Sequence, residues 1–280
     1  MENLVYWNGN IVKGNTLRIT SGDGGLLYGH GVFETMLVSQ GKVVFVEEHL
    51  QRLFDSLKKI KIDIQEGPQN LREITGHLVK VNGLVKGSLR LTVTAGDPDS
   101  TGKNYNILVS GRHGLRYLPE QYQKGYKVGV SRIRRNQYSP VVYIKSTNYL
   151  ECVLARQEAV QNGWDETLFY NVSGYLTEGS VSNLFIIKNE TVLTPAIECG
   201  LLPGITRDKV LDIAVDLGYK VKETYLTCYD LLTASEAFLT NSLMGVMPLV
   251  RLGTVTIGNG SPGPVTDALA KAYRVSIYNR

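Results

Sequence analysis

Lys145 stands in Tyr143-Ile-Lys-Ser-Thr-Asn-Tyr149, behind a strand-like Val-Val-Tyr-Ile run and just ahead of a predicted helix. An amine flanked by apolar residues can lose its hydration, which disfavours the charged form and makes the neutral amine a nucleophile. Most lysines are solvated, so this one alone identifies nothing. Glu178, in Thr177-Glu-Gly-Ser-Val-Ser-Asn-Leu-Phe185, is a single carboxylate among small polar groups. It reads either as an exposed turn or as a carboxylate kept ionised by hydrogen-bond donors, able to pair with the protonated ring nitrogen of a cofactor. Gly204-Ile205-Thr206 opens another helix, whose free N–H groups, macrodipole and hydroxyl suit a phosphate.

Arginines add further candidates. Arg52 lies off the apolar stripe of the first long helix and shares a face with His49, so it faces solvent or gives a phosphate a bidentate contact. Arg132, Arg134 and Arg135 read as a solvated strand edge or as partners of a substrate carboxylate, and Arg90, in an alternating strand, is a further carboxylate candidate. Thr240-Asn241-Ser242 ends a strand with three polar side chains and reads first as an ordinary turn.

These residues need elements to hold them. Short runs rich in Val, Ile, Tyr and Phe at 3–12, 16–20, 31–38 and 43–46, separated by Asn-Gly, Gly-Asp-Gly and Gln-Gly, predict strands. From Glu47 the period changes, and Leu50, Leu53, Phe54, Leu57 and Ile60 predict a helix of about four turns. A helix over 68–82 and strands over 88–95 and 106–110 complete an α+β first half. Residues 114–126 lack apolar period and serve as the expected connection between a domain of 1–113 and one of 127–280. In the second, strands at 127–133, 166–171, 174–177, 182–187, 191–194, 236–241 and 247–256 alternate with helices at 148–162, 206–217 (ending at Gly218), 228–234 and from Val265.

Composition narrows the function. The chain has 280 residues with 43% hydrophobic and 20% charged, ordinary for a packed globular protein. A net charge of +4 over that length is too dilute for nucleic-acid binding by counterion release. No apolar stretch reaches the ~18 residues of a membrane span and the N-terminus lacks a secretory pattern, so neither membrane nor export is expected. Cys152, Cys199 and Cys228 are an odd set without a CxxC pair, which speaks against a disulfide framework or a bound metal and fits a reducing cytoplasm.

Six segments in order resemble one family. They are Asp23-Gly-Gly-Leu-Leu-Tyr-Gly-His-Gly-Val-Phe-Glu-Thr35, His49-Leu-Gln-Arg-Leu53, Lys145-Ser-Thr-Asn-Tyr-Leu150, Glu178-Gly-Ser-Val-Ser-Asn-Leu-Phe185, Leu202-Pro-Gly-Ile-Thr-Arg207 and Gly263-Pro-Val-Thr266. The chain resembles the class IV aminotransferases, also called fold-type IV pyridoxal phosphate enzymes, over nearly its whole length. The resemblance implies an α+β fold with a small α/β N-terminal domain and a larger β-barrel-like C-terminal domain. It also implies a homodimer, a small-molecule substrate and pyridoxal 5'-phosphate as cofactor. In that family Lys145 looks like the Schiff-base lysine and proton carrier, and Glu178 like the partner of the pyridine nitrogen. Arg52, Ile205, Thr206, Asn241 and Ser242 match phosphate-holding positions, while Tyr28, Phe33 and Thr35 match the substrate wall, to which Arg90 is added.

Lyases and transaminases of the family share Lys145 and Glu178. The four-position step from Lys145 to Tyr149 and the Leu239-Thr-Asn-Ser-Leu243 segment are similar to the aminodeoxychorismate lyase branch, and no Arg-x-His pair of the D-amino acid transaminases follows Gly96. The expectation is therefore a 4-amino-4-deoxychorismate lyase, giving 4-aminobenzoate and pyruvate for folate synthesis. The alternative is a transaminase of branched-chain or D-amino acids using 2-oxoglutarate.

Overall fold

Alternating apolar residues in the first part of the chain build a sheet that the apolar stripes of two helices then cover. A computed structural model describes residues 4–99, 103–115 and 117–278. Residues 1–3 and the Ser100-Thr101-Gly102 end of the stretch after Gly96 lie outside the described residues. The chain divides into two units, Met1–Arg116 with Ile144–Asn148, and Tyr117–Tyr143 with Tyr149–Arg280. The Lys145 segment, placed by the sequence reading within the second domain, thus belongs to the first unit.

The first unit is a six-stranded antiparallel sheet of β1 (Leu4–Trp7), β2 (Asn10–Lys13), β3 (Gly31–Ser39), β4 (Lys42–Val43), β5 (Gly87–Ala95) and β6 (Tyr105–His113), in the order β2-β1-β6-β5-β3-β4. A short helix, α1 (Gly24–Tyr28), precedes β3. Helices α2 (Val46–Lys59) and α3 (Pro68–Val81) follow β4, and Leu50, Leu53, Leu57, Leu71 and Leu78 pack against Val32, Met36 and Val38. The predicted strand at 16–20 does not form. Residues 14–16 make a single 3-10 turn and 17–20 have no regular structure.

The second unit begins with α4 (Pro119–Lys124), inside the expected connection; Pro119 at its first position and the Gln121 side chain accepting from the Leu118 amide start it. A nine-stranded sheet follows. Its members include β7 (Tyr126–Arg135), β8 (Glu166–Asn171), β9 (Leu176–Gly179), β10 (Asn183–Lys188), β13 (Glu236–Asn241) and β14 (Gly245–Leu252). These six close on themselves, because β9 pairs back to β10 at Glu178 and Asn183. Strands β11 (Thr191–Pro195), β12 (Lys220–Thr224) and β15 (Val255–Thr256) extend the sheet. Helices α5 (Leu150–Gln161), α6 (Ile205–Asp216), α7 (Cys228–Leu232) and α8 (Pro264–Tyr278) complete the unit. Val141 and Val142, strand-like in sequence, sit in a 3-10 turn over Pro140–Tyr143. Among the described residues no helix is long and apolar enough to cross a membrane.

Candidate active site

In the first unit the period of two along β3 sorts its side chains. Val32, Glu34 and Met36 face the helices, while Phe33 and Thr35 face the other way. The Lys145 segment lies along the start of β3. Phe33 donates its amide to the Lys145 carbonyl (2.8 Å), the Thr147 amide donates to Gly31 O (2.9 Å), and Val32 bridges Ser146. Both Thr147 Oγ1 (2.7 Å) and Asn148 Nδ2 (2.8 Å) donate to the Gly29 carbonyl, next to Tyr28. This stitching brings Lys145 Nζ 4.8 Å from the centre of the Phe33 ring, over which the Arg90 guanidinium also lies at 3.6 Å. Thr35 pairs directly with Arg90 across the β3–β5 ladder. Lys145, Phe33, Thr35 and Arg90 therefore come together, while Tyr28 stands exposed on α1.

On the helix-covered face Arg52 and His49 do not point to solvent. His49 is buried, and both meet Glu34, which is 1% exposed. Arg52 Nε donates to Glu34 Oε1 at 2.8 Å, and Oε2 accepts from Arg52 Nη2 at 2.7 Å and lies 2.6 Å from His49 Nδ1. Burial pushes the Glu34 carboxyl up, but the guanidinium and the imidazole outweigh it and hold the carboxyl at about 2. Burial pulls His49 below its ordinary value, so it is neutral at pH 7 and donates through Nδ1. Sequence reasoning missed Glu34. The available signal was an acidic residue between Val32 and Met36 on the apolar face of a strand, where a charge needs a partner.

In the second unit Glu178 lies at the barrel seam and is buried. Its Oε1 accepts from Arg135 Nη2 (3.1 Å) and its Oε2 from the Leu202 amide (3.1 Å). Arg135 is thus no solvated edge. Its side chain is 11% exposed, stacks 4.5 Å over Phe169 and also reaches Cys152 Sγ at 3.1 Å. Arg132 is solvent-exposed and Arg134 lies over Tyr170, so the three-arginine run splits into three environments. The turn after Glu178 is pinned by buried Glu166, which accepts from the Ser180 amide (2.8 Å), and by Tyr149, whose hydroxyl donates to Ser180 O (3.1 Å).

Gly204 caps α6, and a Cβ there would run into the Asn183 carboxamide on β10, so a larger residue would have to displace that side chain. The first-turn amides of Ile205 and Thr206 have no intrahelical acceptor. Thr206 is buried, with its hydroxyl 3.1 Å from that of Tyr273 on α8. Asn241 and Ser242 differ. The Asn241 carboxamide accepts from the Leu243 (3.0 Å) and Met244 (2.8 Å) amides and donates to Val181 O (3.0 Å), so that side chain shapes the turn on which half-exposed Ser242 sits.

The sequence model of the amino-transferase class IV family matches residues 31–252. The chain belongs to this family. It is a pyridoxal-phosphate-dependent enzyme of class IV aminotransferase type. Among relatives, a Methanocaldococcus jannaschii protein provisionally named a branched-chain-amino-acid aminotransferase is 33% identical, the match covering 96% of this chain and 95% of that one. A Bacillus subtilis aminodeoxychorismate lyase is 30% identical, with 99% and 95% covered. The crystal structure of the Escherichia coli branched-chain amino acid aminotransferase superposes with a TM-score of 0.93 at 27% identity, covering 99% of this chain and 95% of that one.

The donor chemistry of this class IV enzyme suits the cofactor. One unit offers an amine beside an aromatic ring and a clamped guanidinium, the other a buried carboxylate and a helix start bearing a hydroxyl.

Proposed function

We propose that this enzyme is a transaminase that moves an amino group between branched-chain amino acids and 2-oxoglutarate. The supporting observation is the face of β3 and β5 where Phe33 carries the Arg90 guanidinium at 3.6 Å and the Lys145 amine at 4.8 Å. A transaminase must accept two unlike side chains in turn. An aromatic surface beside the reactive amine suits an aliphatic chain, and a guanidinium on that surface suits the second carboxylate of a dicarboxylic acceptor. The relatives named as branched-chain aminotransferases favour the same reading.

In this proposal Lys145 holds the cofactor through its amine, and, once a substrate amine takes that place, removes and returns the proton next to the substrate nitrogen. Bound pyridoxal phosphate supplies a ring that withdraws the electrons left by that proton. Glu178, whose oxygens accept from Arg135 and the Leu202 amide, would hold a proton at the ring nitrogen. Arg52, the Ile205 and Thr206 amides, the Thr206 hydroxyl and Ser242 hold the phosphate, and Asn241 keeps the Ser242 turn in shape. Tyr28, Phe33, Thr35 and Arg90 meet the substrate. We further propose a cytoplasmic homodimer, a reading supported by the exposed Leu150, Val153 and Leu154 on α5 and by three unpaired cysteines.

A second reading, 4-amino-4-deoxychorismate lyase of folate synthesis, is favoured by the Thr240-Asn241-Ser242-Leu243 segment, the Lys145-to-Tyr149 step and the Bacillus subtilis relative. Both are tested together by offering the purified enzyme L-leucine, L-valine or D-alanine with 2-oxoglutarate, and aminodeoxychorismate separately. The transaminase reading expects glutamate from the L-branched substrates and, in Arg90→Ala, a KM for 2-oxoglutarate raised roughly 10-fold or more with a smaller change for leucine. Release of pyruvate and 4-aminobenzoate with no amino transfer would replace it by the lyase.

A further inference from the structure

We infer that Glu34 is the positioning residue of the phosphate subsite, fixing the plane and reach of Arg52 through a buried two-point clamp that His49 completes. The inference rests on the proposed role of Arg52 as phosphate ligand.

A carboxylate on the apolar face of β3, between Val32 and Met36, is costly to bury and gives no net stability over a well-packed apolar residue merely by being paired. Its arrangement is that of a jig. Both oxygens are used, Oε1 by Arg52 Nε at 2.8 Å and Oε2 by Arg52 Nη2 at 2.7 Å and His49 Nδ1 at 2.6 Å. Two parallel bonds fix a guanidinium in its plane, where one bond would leave it free to swing. With the Nε–Nη2 edge gripped, the Nη1 edge is the one turned away from Glu34. His49, three positions before Arg52 on α2, closes the remaining direction in which the carboxylate could tilt. The groups facing this cluster are Glu34 from β3, Arg52 from the same helix and Lys145 from the loop beside β3.

The clamp makes a prediction opposite in sign to simple charge attraction. Replacing Glu34 by Gln removes a negative charge beside Arg52, so attraction alone would tighten binding of an anionic phosphate. Positioning expects binding to weaken.

The test uses the full chain stripped of cofactor and titrated to equilibrium with pyridoxal 5'-phosphate and, separately, with pyridoxal, which lacks the phosphate. In Glu34→Gln the affinity for pyridoxal phosphate should fall at least tenfold while that for pyridoxal changes less than twofold. Arg52→Ala should show the same selective loss, and the double variant should be no worse than Arg52→Ala, because Glu34 acts through Arg52. Tighter or unchanged pyridoxal phosphate binding in Glu34→Gln, with Arg52→Ala still selectively weakened, would overturn the inference. A ratio of the two affinities unaltered in Arg52→Ala would instead remove the reading on which it rests. Should Glu34→Gln not fold, Glu34→Asp keeps the charge and withdraws the clamp by one methylene. It should lose pyridoxal phosphate affinity selectively, and equal losses for both ligands would show a merely structural carboxylate.

Discussion

Glu178 and Arg135 are partners whose charges depend on each other, since each lies largely out of water and removing one leaves the other uncompensated. Glu178→Gln should therefore slow substrate proton removal, by roughly 3–4 kcal/mol if it resembles the loss of one preorganised electrostatic contact. The check is single-turnover kinetics with a substrate deuterated next to its nitrogen. A rate equal to that of wild type would assign the ring nitrogen to another group. Lys145→Ala should abolish covalent attachment: borohydride treatment of wild type with pyridoxal phosphate should add the cofactor mass to the peptide bearing Lys145, and the variant should gain none there. Lys145 and Glu178 could be put forward as candidates from sequence because each sits in a run whose neighbours are themselves unusual. Arg135, His49 and Glu34 were not legible as a set, because what defines them is a partner reached across a sheet or between strand and helix.

At the scale of elements, the start of α6 shows how a hydroxyl gains direction. Burial pushes the Tyr273 phenol up to about 12, so it stays protonated at working pH and can donate to Thr206, whose own proton is then available to an acceptor. Tyr273→Phe and Thr206→Val should each weaken pyridoxal phosphate binding by about 1 kcal/mol, or some fivefold, as expected for neutral hydrogen bonds. Equilibrium titration checks this, and a loss in Tyr273→Phe far beyond that in Thr206→Val would mean that the tyrosine acts by packing α8. The elements themselves were mostly written in their periods. Helix α2 is marked by Leu50, Leu53 and Leu57, and β3 by its apolar run. Short pieces escaped: α4 has six residues and no stripe, and the Val141-Val142 pair follows Pro140, whose missing N–H and fixed φ suit a tight turn better than a ladder.

For the whole molecule, acid should cost stability through the Glu34 cluster of the first unit. Glu34 sits at about 2 when folded against 4.5 when free. The unfolded chain then binds more protons than the folded one, so the stabilisation is full above about pH 4.5 and is lost as pH falls toward 2. Its ceiling is on the order of 3 kcal/mol. Neutral His49, held below its free value of 6.5 chiefly by burial, adds a loss of the same sign from pH 6.5 downward. The thermal midpoint of wild type should therefore fall between pH 4.5 and 2 more steeply than that of Glu34→Gln, and parallel curves would contradict this. The α+β class was legible from the order of periods. Barrel closure was expected only through the family resemblance and not from the periods, because it depends on parallel pairing of β7 with β8 and β14, which are distant in sequence.

The return of residues 144–148 to the first unit also sets a timetable for a newly made chain. When Arg116 leaves the ribosome the sheet has all six strands, yet the amide of Phe33 and the carbonyl of Gly31 still await Lys145 and Thr147. At roughly 5–20 residues per second that wait lasts a few seconds. During it the start of β3 is an open edge, available to a neighbouring nascent chain, until the segment that carries Lys145 arrives to close it.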